Sequence, residues 1–284
     1  MDGIIIINKP KNCTSHDIVR KAKKAFNDKV GHTGTLDPNA TGVLPLLVGK
    51  GTQIAKYIIN HDKIYEATLQ LGEKTDTADV EGVVIETKYI PEESLQTEIV
   101  NKVLQSFIGK QEQIPPIYSA IKVNGKKLYD YARKGEEVEI QPRQIEIYNM
   151  ELIKIDVQNK TVEFRVHCSK GTYIRTLCEN IAEKLSTVGY MKELNRTKVG
   201  EFSIDDSITI EELENANYNN FITVEDYFEN YKNINLNEKK LQLFLNGVQL
   251  TWNLEDGMYR IYCDNKFIGI GTIKNNLLKR DIIL

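Results

Sequence analysis

Cysteine is scarce in this chain of 284 residues, and its four copies are scattered: Cys13, Cys168, Cys178 and Cys263. No Cys-x-x-Cys pair occurs, so neither a disulfide framework nor a zinc site is expected, and a reducing cytoplasm is the compartment that fits. Long hydrophobic runs are missing too. The apolar run at residues 4–7 is far too short for a membrane span, and no basic leader or cleavage-like site accompanies it. We therefore expect no membrane association and no signal peptide.

Positive charge is absent from one long segment. Residues 201–231 hold nine acids and no Lys or Arg, whereas the rest of the chain has 37 basic residues against 31 acidic ones. Residues 1–30 alone carry seven Lys or Arg against three Asp. The net charge of −3 therefore hides a basic body with an acidic segment attached. This distribution permits a nucleic-acid partner, although ordinary solvated faces would give the same counts.

Hydrophobic periodicity predicts several elements of the first half of the chain. Residues 3–8 and 43–48 are apolar runs typical of buried strands, and residues 64–71 alternate as a half-buried strand does. Thr14 or Ser15 can cap a helix with Asp17 in its first turn, because apolar residues then recur at helical spacing. Residues 95–107 predict a second amphipathic helix, which we expect Gly109 to terminate.

The second half continues with strands and one helix. Residues 145–157 and 161–168 predict a hairpin that turns at Asn159-Lys160, and residues 171–185 change to helical spacing. These patterns favour an α+β fold with a mixed, largely antiparallel sheet and packed helices. The acidic stretch through about residue 233 marks a boundary, beyond which one short helix precedes short strands. We therefore expect a large domain at residues 1–232 and a small β-rich one at residues 235–284.

Residues 31–42, Gly-His-Thr-Gly-Thr-Leu-Asp-Pro-Asn-Ala-Thr-Gly, are the most unusual stretch. A turn-forming Asp-Pro, three glycines and a histidine occupy a space too short for a regular element, which predicts a loop held in one shape. Asp37 is the polar side chain that such a loop would present. An isolated Asp-Pro turn is more often structural than catalytic, because Asp caps turns well.

Residues 31–45 match the pattern G-H-x-G-x-L-D-P-x-A-x-G-x-L-P at every fixed position, and the stretch resembles the signature loop of the TruB family of pseudouridine synthases. Four further blocks resemble that family in the same order. They are Asn8-Lys9-Pro10 with Thr14-Ser15, residues 63–82 from Lys-Ile-Tyr to Gly82, residues 114–135, and Cys168-Ser-Lys-Gly-Thr-Tyr-Ile-Arg-Thr.

The resemblance implies an enzyme that isomerises the T-loop uridine numbered 55 of tRNA to pseudouridine. The N-glycosidic bond is cleaved and the base is rejoined through C5, which needs no cofactor and no metal. The implied partner is the T-arm stem-loop of tRNA, with no obligatory protein partner and a monomeric enzyme. The implied architecture is the pseudouridine synthase fold over residues 1–232, with a thumb-like RNA-binding segment at about 122–143. A shortened PUA-like RNA-binding module at residues 235–284 follows.

The resemblance also implies roles for individual residues. Asp37 would be the catalytic nucleophile or base, Arg175 its ion-pair partner, and Tyr65 the platform on which the flipped base stacks. The substrate-binding residues would be His32, which shapes the RNA, Lys9 and Pro10, which support the loop, and Tyr173 and Leu194, which line the uracil pocket. Core packing is the rival interpretation of Tyr65 and of Leu194.

Other functions remain to be weighed against this one. Gly49-Lys50 lacks the spacing of a phosphate-binding loop, and Asp76, Asp79 and Glu81 lack the alternation of a calcium loop. His167 beside Cys168 has no metal-ligand partner at a suitable spacing. A non-catalytic tRNA-folding chaperone is the alternative function, and an RNA-guided subunit of a larger particle is a third. A chaperone would not need Asp37 and Arg175 together.

Overall fold

The computed structural model describes residues 1–284, apart from the side chain of Glu92. Its strands are β1 (Gly3–Lys9), β2 (Val30–His32), β3 (Thr41–Val48), β4 (Lys63–Leu71), β5 (Glu73–Thr75), β6 (Val84–Thr87), β7 (Gly109–Gln113), β8 (Lys122–Val123), β9 (Lys126–Lys127), β10 (Arg143–Asp156), β11 (Thr161–Cys168), β12 (Gly189–Val199), β13 (Phe202–Ser203), β14 (Ile222–Thr223), β15 (Asn233–Asn235), β16 (Leu250–Thr251), β17 (Gly257–Cys263), β18 (Lys266–Lys274) and β19 (Leu277–Ile283). Its helices are α1 (Ser15–Phe26), α2 (Ala55–Ile58), α3 (Thr97–Gln105), α4 (Leu128–Lys134), α5 (Ile174–Lys184), α6 (Ile210–Glu214), α7 (Val224–Tyr227) and α8 (Glu238–Leu245).

A ten-stranded sheet forms the centre of the molecule. Its order is β14-β1-β3-β12-β4-β11-β10-β7, with β13 paired to β12 and β2 paired to β3. Its strands pair antiparallel except where β12 runs parallel to β3. A second sheet, of five strands in the order β15-β17-β18-β19-β16, follows along the chain. The mixed, largely antiparallel α+β architecture predicted from the sequence is confirmed.

Helix α1 begins where the sequence predicts. Thr14 is the N-cap: its hydroxyl accepts from the backbone N–H of Asp17 at 3.1 Å, and the Asp17 carboxylate accepts from the Thr14 N–H at 3.0 Å. This capping box satisfies two of the N–H groups that a helix start leaves without partners. Ile18, Val19 and Ala22 lie buried on the inner side. The helix therefore packs its apolar side on the sheet and exposes its lysines.

Strand β4 shows the predicted alternation, with every second residue from Lys63 to Leu71 buried. Its inner side lies in a core that α3 and α5 cover, together with residues of β10, β11 and β12. Phe164 of β11 is fully buried there, so its truncation to alanine should destabilise the fold by about 3–5 kcal/mol. The middle of the sheet is thus a rigid base for side chains that emerge at its edge.

Helix α3 ends earlier than predicted. It stops at Gln105 with Ser106 as C-cap in right-handed geometry, so Gly109 does not terminate it. Gly109 instead begins β7 with a φ of +114°. The first residue of the predicted pattern, Leu95, lies in a separate 3-10 turn, Glu92–Leu95. The apolar spacing correctly identifies residues that pack in the core. It continues, however, beyond the residues that form helical hydrogen bonds.

The acidic segment at residues 201–231 is folded onto the large sheet. Strand β14 pairs with β1, Tyr218 stacks on Phe26 at 4.5 Å, and Glu214 pairs with Lys21 at 2.8 Å. Several of its acids cap short helices, as Glu212 does at Thr209. Apolar residues between the acids are buried, so the segment belongs to the fold beside β1 and α1 and is not an extended linker.

The five-stranded sheet packs against this segment. Ile270 and Ile282 lie in one hydrophobic cluster with Phe228, and Asp281 contacts both Lys56 and Tyr57 of α2. The division into residues 1–232 and 235–284 remains a prediction, because the two sheets share this cluster. Among the described residues, no helix is long and apolar enough to cross a membrane.

Candidate active site

The Asp37 loop, residues 33–40, connects two antiparallel strands. Gly31 and His32 belong to β2, and β3 begins at Thr41, so the prediction of a wholly irregular stretch at 31–42 was wrong at both ends. The ends pair because they continue strands whose apolar residues are buried. Between them, the N–H of Ala40 donates to the carbonyl of Asp37 at 3.1 Å and closes a turn at Asp37-Pro38. The loop is therefore short and closed by its own backbone.

Three buried polar side chains form hydrogen bonds with the backbone of this loop. The Ser15 hydroxyl accepts from the N–H of Leu36 at 2.9 Å and donates to the Leu36 carbonyl at 3.1 Å. The Lys9 ammonium donates to the carbonyl of Pro38 at 3.0 Å and to those of Pro10 and Cys13 at 2.8 Å. The Arg196 guanidinium, on β12, donates to the carbonyl of Gly34 in the loop at 3.1 Å. The backbone on both sides of Asp37 is thus bonded to fixed side chains.

Gly42 allows β3 to approach β12 closely. Its φ is +103°, and a Cβ at this position would lie 2.2 Å from the carbonyl oxygen of Arg196. Any side chain here would push the parallel β3–β12 pair apart. The glycine that closes the sequence motif therefore sets the distance between the Asp37 loop and the central strands.

Arg175 forms a two-point ion pair with Asp37. Its Nε lies 3.0 Å from Oδ2 and its Nη2 lies 3.2 Å from Oδ1, although 138 residues separate the two in sequence. Arg175 is in the first turn of α5 and is buried, whereas the Asp37 side chain keeps 33% of its surface exposed. A side-on guanidinium–carboxylate pair has fixed geometry as well as attraction. Arg175 therefore orients the carboxylate on one side, and the other side of the carboxylate is open to solvent.

Arg175 also joins two other segments of the chain to the pair. Its Nη2 donates to the carbonyl of Tyr118 at 3.0 Å, and its Nη1 lies 3.4 Å from the carbonyl of Thr77 and 3.6 Å from the Asp79 carboxylate. Asp79 is buried, and no role beside Asp37 was predicted for it from the sequence, where it fails the spacing of a calcium loop. The sequence signal that could have identified Asp79 is its place in Thr75-Asp-Thr-Ala-Asp79, within the block at residues 63–82 that resembles the TruB family.

Burial raises the pKa of Asp37 above its ordinary value of 3.8. Arg175 opposes this rise most strongly, Asp79 adds to it, and Lys9 opposes it weakly. Loss of water makes a carboxylate a stronger nucleophile or base, whereas the fixed guanidinium keeps it ionised and oriented. The arrangement can attack or deprotonate a sugar or base carbon placed on its open side.

Tyr65 and Leu194 lie in the hydrophobic core beside the Asp37 loop. Tyr65 is 8% exposed and lies in the same hydrophobic cluster as Leu36, Ala40 and Leu194. Burial raises the pKa of Tyr65, which therefore stays a neutral phenol at pH 7. Core packing is therefore observed for both residues, and their roles toward a uracil base stay predictions.

Tyr173 precedes α5, and an amide of β7 holds it in place. Gln113 accepts from the Tyr173 N–H at 2.8 Å and donates to its carbonyl at 3.0 Å. Burial raises the pKa of Tyr173 as well. This clamp fixes the start of α5, and with it Arg175, relative to the sheet edge. Gln113 was not identified from the sequence, because a glutamine at the end of a strand carries no distinctive pattern.

Among the described residues, His32 and Pro10 form no hydrogen bond with Asp37 or Arg175. His32 ends β2 half-buried; its Nδ1 has no partner among the described residues, and burial lowers its pKa. Pro10 is exposed and contributes its carbonyl to Lys9. In the described part of the chain, no group of three or more His, Cys, Asp or Glu side chains is arranged to hold a metal ion.

The chain matches three domains of one family in sequence. Residues 20–174 match the N-terminal domain of the TruB family pseudouridylate synthases, and residues 175–239 match the tRNA pseudouridylate synthase B C-terminal domain. Residues 233–279 match the C-terminal domain of pseudouridine synthase II TruB. The Asp37 loop lies in the first of these regions, and Arg175 lies at the start of the second.

Two curated relatives match along nearly the whole length. A protein named tRNA pseudouridine synthase B from Clostridium kluyveri is 44% identical, over 97% of this chain and 96% of its own. One of the same name from Clostridium tetani is 46% identical, over 95% of both chains.

Solved structures share the fold at lower identity. A chain of a Cbf5–Nop10–Gar1 complex superposes with a TM-score of 0.67 at 24% identity, covering 95% of this chain and 78% of that one. A chain of an H/ACA ribonucleoprotein bound to a substrate RNA containing 2′-deoxyuridine superposes with a TM-score of 0.68 at 22% identity, covering 99% and 85%. At such identities the likeness concerns the fold. By its sequence matches, the chain belongs to the TruB family of pseudouridylate synthases.

Proposed function

We propose that this protein isomerises the uridine at position 55 in the T loop of tRNA to pseudouridine. The observation that carries the proposal is the two-point Asp37–Arg175 pair, with one carboxylate face open, in a loop that three buried side chains hold. The relatives named tRNA pseudouridine synthase B support tRNA as the substrate. A protein that only folds RNA would not need an oriented, partly desolvated carboxylate.

In this proposal Asp37 acts at the sugar or at the base. It attacks as a nucleophile, or it takes up a proton, while the N-glycosidic bond breaks, and the base then rotates and rejoins through C5. The reaction is an isomerisation, so we expect it to need neither a cofactor nor a metal. Arg175 keeps the carboxylate charged and oriented, because a neighbouring guanidinium favours the ionised form.

The uridine must leave its stack to reach Asp37. Flipping a nucleotide costs a few kcal/mol, whereas stacking on an aromatic ring returns roughly 1–3 kcal/mol. We assign Tyr65 as that platform, with Tyr173 and Leu194 lining the uracil pocket and His32 supporting the opened RNA loop. Lys9 and Pro10 support the catalytic loop, since the Lys9 ammonium bonds the carbonyls of both Pro10 and Pro38.

The RNA would be held by its shape and its phosphates. Residues 122–143 would act as a thumb that closes over the RNA. They carry basic side chains beside aromatic rings, as at Lys126 over Tyr131 (4.3 Å) and Lys127 over Tyr129 (5.1 Å). Residues 235–284 would be the shortened PUA-like RNA-binding module. We expect an isolated T-arm stem-loop to suffice as substrate, with binding that weakens as salt rises. We further propose a monomeric, cytoplasmic enzyme without an obligatory protein partner.

The test is pseudouridine mapping of a T-arm transcript after incubation with purified wild-type protein and with Asp37→Asn. The proposal expects conversion at one uridine by the wild type, no conversion by Asp37→Asn, and similar affinity of both for the RNA. Asp205→Asn is the matched control, because Asp205 is an exposed aspartate of the acidic segment. Equal yield from wild type and Asp37→Asn would refute the role of Asp37. Binding and refolding of tRNA without conversion by the wild type would favour the chaperone.

A further inference from the structure

Arg196 is a fully buried arginine without an acidic partner. Only 1% of its surface is exposed, and none of the ion pairs of the described residues involves it. Its guanidinium instead donates to two backbone carbonyls, through Nε to Val43 at 2.8 Å and through Nη2 to Gly34 at 3.1 Å. A buried cation without a carboxylate is unfavourable for folding, and the two carbonyls offset that only in part. Fold stability alone therefore does not account for an arginine here.

The strand register places Arg196 beside Tyr65. The two residues are directly opposite each other in the antiparallel β12–β4 pair, so their side chains leave the sheet on the same face. On its other side, β12 pairs with β3 through Arg196 and Gly42. Arg196 therefore lies between the Asp37 loop, which it bonds at Gly34, and Tyr65.

Several groups around the site respond to this buried charge. Burial is the main cause that lowers the pKa of Lys9, of Lys63 and of His32, which lie on β1, β4 and β2. The Arg196 guanidinium adds to the lowering in each case. Arg196 also opposes the rise that burial causes in the pKa of Tyr65. The four groups lie on three strands, β1, β2 and β4, which agrees with a central place for Arg196 under the loop.

We propose that Arg196 is a positioning residue that holds the Asp37 loop and the Tyr65 side chain in register with each other. Its planar fork reaches two carbonyls at once, which a lysine ammonium at the same place does not reproduce. Among the described residues, Arg196 forms no hydrogen bond or ion pair with Asp37, so it acts through the Asp37 loop and Tyr65. This inference rests on the proposed function, because it is measured by pseudouridine formation.

The experiment compares wild type, Arg196→Met, Arg196→Lys and Asp37→Asn on the T-arm transcript, with Lys192→Met as the control on the same strand. Single-turnover rates are measured from pH 5 to 8 together with RNA affinity. We expect Arg196→Met to bind RNA as the wild type does but to react about 100-fold more slowly, the size of effect that a displacement of about 1 Å produces. Arg196→Lys should recover part of the rate, and Lys192→Met should match the wild type.

The pH profile separates positioning from a loss of folded protein. A loosened loop weakens the Asp37–Arg175 contact, which is the main contribution that lowers the pKa of Asp37. Burial and Asp79 then raise this pKa, and only Lys9 opposes the rise, weakly. The acid limb of the Arg196→Met profile should therefore move to higher pH. A smaller active fraction would instead lower the rate equally at every pH, and that result would overturn the proposal, as would an unchanged rate. If Arg196→Met does not fold, Arg196→Lys is judged by the same shift of its acid limb.

Conversion by the wild type and inactivity of Asp37→Asn in the same assay keep the two proposals distinguishable. If the wild type fails to convert the transcript, the proposed function fails. If the wild type converts it and Arg196→Met equals the wild type at every pH, only the role of Arg196 fails.

Discussion

Replacing Ser15 by alanine should damage the active site more than the fold. Ser15 is the first residue of α1, and its buried hydroxyl bonds both the N–H and the carbonyl of Leu36, the residue before Asp37. The alanine removes both partners at once. Because Leu36 is itself buried, water does not reach these two groups unless the loop moves.

The size of the effect follows from those two bonds. A buried backbone group left without a partner costs about 1–3 kcal/mol, so two groups would cost about 2–6 kcal/mol if the loop stayed in place. The loop can shift toward water, which brings the loss of unfolding free energy to the lower end, about 2 kcal/mol. That corresponds to a fall in Tm of about 4–8 °C. The same shift displaces Asp37, and a displacement of about 1 Å reduces a rate roughly 100-fold.

Thr14→Ala is the matched control. Thr14 is the exposed N-cap of the same helix, and its hydroxyl bonds Asp17 instead of the loop. Losing that cap should cost about 1 kcal/mol of stability without changing the rate. Thermal unfolding and single-turnover pseudouridine formation on the T-arm transcript are measured for wild type and both variants, well below the lowest Tm.

The reasoning about Ser15 fails if Ser15→Ala loses stability but keeps the wild-type rate. It also fails if Thr14→Ala and Ser15→Ala slow the reaction equally, because the effect would then come from α1 and not from Leu36. A slow Ser15→Ala enzyme beside a fast Thr14→Ala enzyme supports the proposed clamp.

Two further predictions concern charge. The single-turnover rate should rise with pH as Asp37 ionises, with a midpoint above 3.8. Arg175→Met should move that midpoint up by roughly 1–3 pH units, because the guanidinium that favours the ionised form is lost. Arg165→Met, on the exposed face of β11, is the control, and an unchanged midpoint in Arg175→Met would contradict the role of the ion pair. The pKa of His32 should lie below its ordinary value of 6.5 in an NMR titration in which the His32→Gln variant assigns the signal. Because the buried ring is held neutral, the protein should lose stability as pH falls through 6.5. A midpoint at or above 6.5 would show that the ring is not desolvated.

Local features of the fold could be predicted from the sequence because their causes are local. The capping box at Thr14 and Asp17, the alternation of β4, and the hairpin that turns at Asn159-Lys160 depend on residues a few positions apart. The end of α3 could not be predicted, since apolar spacing continues past the last helical hydrogen bond. The packing of the acidic segment on β1 and α1 could not be predicted, because charge counts do not reveal the apolar residues that anchor it there.

The sequence by itself determined which loop carries the candidate carboxylate, since the Asp37 motif is continuous and its resemblance to the TruB family needs no structure. Only the tertiary structure decided what surrounds it. Asp79 beside Arg175, Ser15 under Leu36, and Arg196 between Gly34 and Tyr65 are contacts across long stretches of chain. Such contacts depend on strand order and register, above all the parallel β3–β12 pair. No local pattern encodes that pairing, because it results from how the whole sheet closes over its core.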